Sequence, residues 1–288
     1  ADQATPPDQI KIAKDFKIEL LYSVPKDKEG SWVALTIDDK GRLIASDQDG
    51  ALYRITPSPL GGSPAETKIE KLNVDFGYAQ GLLWHKGAIY GQVNANALKG
   101  RGLYRITASK GDDNFDTVEA LRIYEGNAGE HGPHAVLLAP DGQGIYCVSG
   151  NQTPVPPMDV TRAPTHWGED QLFPMLLGKG FMRDVLAPGG WVARTDFDGK
   201  KWELLGTGTR NTYDGAFNRR GDLLAYDADK AGDEGMRKLG TGVLDADGNL
   251  KAPGLLASNT KSLLYLRWPA AVPEGFDVRD SIIEAGNH

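Results

Sequence analysis

One cysteine, Cys147, stands among 288 residues, so no internal disulfide forms and no thiolate metal cluster is built. No apolar run approaches the roughly 20 residues of a membrane-crossing helix, so the sequence predicts no transmembrane segment. Basic residues are in the minority: 32 Lys and Arg against 39 Asp and Glu, a net charge of −7. That balance argues against a general nucleic-acid binder, which must neutralise phosphates. Uninterrupted stretches are scarce too. The 36 glycines and 17 prolines suit many short strands joined by turns better than long helices. Cys147 itself lies in the strand-like run Gly144-Ile145-Tyr146-Cys147-Val148 and reads as a small core residue. The length allows one large domain or two ordinary ones.

What the chain does contain is repetition. Residues 1–15 form a polar, proline-bearing arm, and Ala1–Pro7 has the character of a processed exported protein's start, which predicts a periplasmic or secreted location. Strand patterns then follow at Lys17–Val24, Trp32–Ile37, Arg42–Asp47 and Ala51–Thr56. A second set begins at Ile69–Leu72 and ends at Gly102–Thr107. Leu-Tyr-Arg-Ile-Thr occurs in both sets, 51 residues apart. Turn glycines recur at Gly41, Gly87, Gly142 and Gly221, in steps of 46, 55 and 79 residues. The long step contains residues 152–188, read as an insertion; without those 37 residues it becomes 42. A period of 40 to 50 residues with four strands each is the pattern of a β-propeller. A fourth repeat starts at Trp202–Leu205. Periodicity fails after Met236, although Val243–Leu250 reads as a hairpin and Ser262–Leu266 as one more strand. The expected fold is therefore an all-β, incomplete propeller over residues 16–236, about four clear blades, with a divergent segment at 237–288.

Chemistry concentrates at Gly129-Glu130-His131-Gly132-Pro133-His134, an acid and two histidines on a bent loop just before a hydrophobic strand. Such loops expose side chains to ligands while the strand behind holds them. Two readings of His131 stay open: a catalytic base, or a loop histidine bonded to a backbone carbonyl. His134 reads as a supporting residue or as plain loop. Asp227, Asp229 and Asp233 suit calcium, or act as turn formers. Asp112, Asp113, Asn114 and Asp116 read as a solvated hairpin turn, and His166–Asp170 as a lid or a packed segment of the insertion.

Several stretches together resemble the quinoprotein dehydrogenases of the soluble glucose and sorbosone dehydrogenase type, and within them the bacterial membrane-bound dehydrogenase branch. They are Gly30–Val33 with Gly41–Asp47, Ala79–Leu83, Gly129–Leu138, Trp167–Asp170, Ala187–Trp191, Arg210-Asn211 and Tyr226–Asp229. The resemblance implies a six-bladed propeller holding pyrroloquinoline quinone and calcium. It implies that His131, ten residues before Asp141, takes the proton from a substrate hydroxyl, with Glu130 beside it. It further implies that Gln80, Arg210 and Asn211 contact the quinone and that Asp227 and Asp229 lie near calcium. Two departures stand out: Thr212 replaces the proline that usually follows Arg-Asn, and the last two blades have no counterpart after residue 236. Covalent haem, which needs Cys-x-x-Cys-His, is excluded by the single cysteine.

The function implied is an exported dehydrogenase oxidising a sugar or other alcohol by hydride transfer to the quinone, with a cytochrome or another electron acceptor as partner. A histidine suits the base because its ordinary pKa near 6.5 leaves neutral imidazole at pH 7. Two alternatives remain open: a non-catalytic propeller scaffold binding a carbohydrate or protein, and a calcium-dependent lactonase. Open propeller edges also predict self-association.

Overall fold

The computed structural model describes residues 4–12, 16–59, 62–163 and 188–227, with the backbone of 262–266. Apart from short helical turns such as Lys26–Glu29, every regular element described is a strand. The class is all-β, and the repeating element is the antiparallel propeller blade that the repeat predicted. The chain divides into two compact units.

The first unit, Ala1–Gly129 with Pro133–Leu138, holds two four-stranded sheets in simple up-and-down order. One contains β1 (Trp32–Ile37), β2 (Leu43–Asp47), β3 (Leu52–Thr56) and β4 (Lys68–Lys71). The other contains β5 (Ala79–His85), β6 (Ala88–Val93), β7 (Gly102–Thr107) and β8 (Thr117–Ile123). The strand β9 (Pro133–Leu138) packs beside β5. Ile44, Leu52, Ile89, Leu103 and Ile106 are fully buried, so the middle strands form the core. The outer strand β4 carries exposed Lys68, Glu70 and Lys71, charges that discourage edge-to-edge pairing. The repeated pentapeptide supplies β3 and β7. Arg54 and Arg105 hold the same place and pair across to Glu70 and Glu119 on the fourth strands, at 3.2 and 2.7 Å.

The second unit, Glu130–Gly132 with Ala139–His288, contains β10 (Ile145–Ser149), β11 (Val160–Thr161), β12 (Gly190–Thr195) and β13 (Trp202–Thr209). β10, β12 and β13 are antiparallel neighbours, and β11 runs parallel to β13. A further sheet joins β14 (Thr212–Phe217), β15 (Leu223–Asp227) and β16 (Ser262–Leu266). Trp191, Trp202, Ile145 and Cys147 are buried, and the Tyr146 and Phe217 rings meet edge-on at 4.9 Å.

The four turn glycines all adopt positive φ, 75° at Gly41, 79° at Gly87, 65° at Gly142 and 85° at Gly221. Each closes the hairpin between the first and second strand of a blade. The phase of the repeat differs from the expectation. Lys17–Val24 forms no strand, Lys68–Lys71 closes the first sheet, and Trp202–Thr209 lies between β12 and β11 instead of opening a sheet. Alternating apolar residues make a segment extended and half-buried, but a ladder also needs a partner with free N–H and C=O groups. The 17–24 segment is held by other contacts: Tyr22 stacks on Trp32 at 5.9 Å and its hydroxyl donates to Glu29 at 2.8 Å. The expected strand at Ser262–Leu266 is observed. The hairpin expected at Val243–Leu250 and the segment His166–Asp170 lie outside the described residues. The Asp112–Asp116 stretch is the β7–β8 loop. There Asp113 is held well below the usual carboxylate range by Arg42 and Lys40 of the β1–β2 hairpin.

Two glycines should separate steric from conformational demand. A methyl at Gly81 would lie 2.2 Å from the His134 carbonyl oxygen, whereas one at Gly142 meets nothing within 4 Å and suffers only from φ. Gly81→Ala is expected to cost about 3 kcal/mol and Gly142→Ala about 1 kcal/mol in denaturant unfolding; equal costs would contradict this packing.

Candidate active site

Each blade ends its first hairpin in the same way. The residue after the second strand donates its N–H to the carbonyl of the residue before the first: Gln48 to Ser31 (2.9 Å), Asn94 to Tyr78 (3.1 Å) and Gly150 to Gly132 (2.9 Å). Thr212 pairs with Asp227 as Trp32 pairs with Asp47, which puts Asn211 at the same place in the fourth blade. One residue earlier stand Gly30, Gly77, His131 and Arg210. The two glycines have no room for a side chain: added Cβ atoms would lie 2.1 Å from the Asp47 carboxylate and 2.3 Å from the Gly50 backbone. The second unit places a histidine and an arginine there.

His131 is 1% exposed. Its N–H donates to Gln152 Oε1 at 2.7 Å, its carbonyl accepts from the Gln152 N–H at 3.0 Å, and its Nδ1 bonds Asn151 Oδ1 at 2.7 Å. With an amide oxygen as partner, Nδ1 carries the proton of the neutral ring and Nε2 the lone pair. The Asn151 N–H donates to the Arg210 carbonyl at 2.8 Å, so one residue ties the imidazole to the loop of the arginine. Asp227 completes the network, accepting the N–H groups of Arg210 (3.1 Å) and Asn211 (2.7 Å). Gly150 allows the crowding, since a Cβ there would lie 2.6 Å from Asn211 Oδ1 and 2.7 Å from the His131 carbonyl oxygen.

The ring's affinity for a proton is lowered, first by burial and further by the Arg210 charge; the Asn151 bond and Glu130 oppose this. Glu130 is exposed and acts through its charge, while Asn151 holds Nδ1. Sequence reading singled out neither Asn151 nor Gln152. Their only signal was a place just after a strand, where the proposed insertion begins.

The second unit thus brings His131, Arg210, Asn211 and Asp227 together. Gln80 belongs to the first unit, half-buried at a bulge in β5. His134 is buried on β9, where its carbonyl accepts from the Gln92 amide at 3.1 Å. Asp229 and Asp233 lie outside the described residues.

The donor set fits a polar quinone bearing carboxylates. Besides a guanidinium and amides, Ser149, Thr153, Thr209 and Thr212 place buried hydroxyls without hydrogen-bond partners among the described residues. Ser149, Thr209 and Thr212 stand at strand ends around His131 and Arg210. Thr212, at the place where proline was expected, is one of them. Calcium does not find an equal fit. No group of three or more His, Cys, Asp or Glu among the described residues suits a metal ion. Asp227 uses both carboxylate oxygens on backbone N–H groups.

No family model matches the chain, and no curated protein does. Solved structures resembling it include the carbohydrate-active family AA12 enzyme of Trichoderma reesei, with a TM-score of 0.48 and 15% identity over 82% of this chain and 52% of that one. The pyranose dehydrogenase PQQ domain of Coprinopsis cinerea gives 0.46 and 14%, over 68% and 43%. The aldose sugar dehydrogenase of Streptomyces coelicolor gives 0.43 and 13%, over 71% and 61%. The chain therefore spans about half the length of the structures it resembles.

Because the folded chain binds the His131 proton less tightly than the ordinary value near 6.5, the unfolded chain takes up a proton that the folded one refuses. Stability should fall as the pH drops below that value. In denaturant titrations between about pH 7 and pH 5 the decline should be shallower in His131→Asn than in the parent. Parallel slopes would rule out a buried, depressed imidazole.

Proposed function

We propose that this chain carries the base-bearing part of a propeller-type quinoprotein dehydrogenase, acting on a hydroxyl group of a sugar or other alcohol. One observation carries the reading: a buried, neutral histidine, held in one tautomer by Asn151, is tied through that residue to Arg210. The resemblance of the His131 and Arg210 stretches supports the choice of quinone. Pyrroloquinoline quinone, when bound, supplies the hydride acceptor that no side chain provides. Arg210 and Asn211, with the hydroxyls of Ser149, Thr209 and Thr212, would hold its oxygens.

Nε2 of His131 accepts the substrate hydroxyl proton. Asn151 keeps the lone pair on that nitrogen and takes a stronger hydrogen bond from Nδ1–H as the ring becomes cationic. The Glu130 charge favours that cation. Burial and Arg210 keep the resting ring neutral, so the base stands ready at pH 7. Arg210 offers a permanent cation where quinone oxygens gain negative charge. The same proposal includes an exported or periplasmic location, self-association, a cytochrome or other electron acceptor, and the membrane-bound dehydrogenase branch.

Dye reduction with added pyrroloquinoline quinone and calcium, over a panel of aldoses and alcohols, tests the reading. His131→Ala should lose about 100- to 10,000-fold in turnover with quinone still bound. Absence of quinone binding at micromolar concentration in the parent protein would overturn the dehydrogenase and leave the scaffold.

A further inference from the structure

We propose that Asp227 is a positioning residue for Arg210, a structural clamp of the fold put to use in the site. The proposal rests on the reading of Arg210 given above. The clamp occurs twice. Trp32 pairs with Asp47 and Thr212 with Asp227, and in each ladder the register then shifts past one residue, Val33 or Tyr213. Asp47 Oδ1 accepts the Ser31 N–H at 2.8 Å, as Asp227 Oδ1 accepts the Asn211 N–H at 2.7 Å. Both carboxylates are more than nine-tenths buried.

The copies differ one residue earlier. In the first blade the carboxylate lies against Gly30 and leaves no room for a side chain. In the fourth blade that place is Arg210, and its N–H donates to the second oxygen, Oδ2, at 3.1 Å. Two successive N–H groups on one buried carboxylate fix the backbone of Arg210 and Asn211, and with it the direction in which the arginine leaves the chain. Arginine has a long, flexible stem, so its guanidinium reaches one place reproducibly only when its base is held. The Arg210 carbonyl also accepts from Asn151, the residue that holds the His131 ring. Loosening the clamp therefore reaches the base as well.

The paired copies provide the control. Asp227→Asn and Asp47→Asn each remove one buried carboxylate from the same kind of loop, and each should lower the thermal midpoint. Only Asp227→Asn should weaken pyrroloquinoline quinone binding, by about tenfold or more. A second readout needs no quinone: the titration of the His131 ring followed by NMR, with His131→Asn to assign it. Arg210 holds the ring's midpoint down, so a displaced guanidinium raises it, whereas mere loss of the Asp227 negative charge lowers it. The midpoint should rise in Asp227→Asn, stay unchanged in Asp47→Asn, and not rise further when Asp227→Asn is added to Arg210→Gln. Should Asp227→Asn fail to fold, Asp227→Ser carries the same comparison, its hydroxyl accepting one N–H. A midpoint that falls or stays in place, or an equal response to Asp47→Asn, overturns the proposal. A parent protein that takes no quinone overturns the dehydrogenase reading alone, because the ring titration still decides the clamp.

Discussion

One backbone hydrogen bond organises the rest: the N–H after the second strand of a blade returns to the carbonyl before the first. It recurs at Gln48, Asn94 and Gly150 with nearly one length. Its effect is to close the open end of a hairpin whose other end is closed by a positive-φ glycine. A hairpin tied at both ends presents the residue just outside the tie in a fixed direction. The position that holds His131 and Arg210 is thus one whose direction the backbone ties set.

The second unit exploits this position and the first does not. Gly30 and Gly77 are packed against a carboxylate and a backbone segment, so their blades are closed there. His131 and Arg210 occupy the same place with side chains, and Asn151 and Asp227 connect them. Burial makes the difference chemically useful. A desolvated imidazole resists protonation, and the guanidinium pushes the same way, so one cation stays charged while the neighbouring base stays neutral.

Much of this was legible beforehand. The pentapeptide repeat marked two equivalent strands, and the turn glycines marked four equivalent hairpins, because only glycine adopts φ near 75° without strain. His131 and Arg210 stood out through resemblance. The partners Asn151, Gln152 and the buried hydroxyls did not, since a polar residue after a strand has no pattern of its own until its neighbours are known. The phase of the repeat escaped for the same kind of reason. Lys17–Val24 and Lys68–Lys71 alternate alike, yet only the second meets a ladder partner.

The amino-acid sequence by itself determined that the chain is built of short strands and tight turns in repeats, with a single buried thiol and no stock of cysteines for cross-links. Those properties are local: period-two alternation, glycine conformations and composition act over a few residues. Tertiary structure alone decided that His131 would lose its proton more easily, that Asn151 would choose its tautomer, and that Asp227 would grip the backbone of Arg210. The first depends on burial and on Arg210, far along the chain, and the other two on groups 16 to 20 residues apart meeting at strand ends.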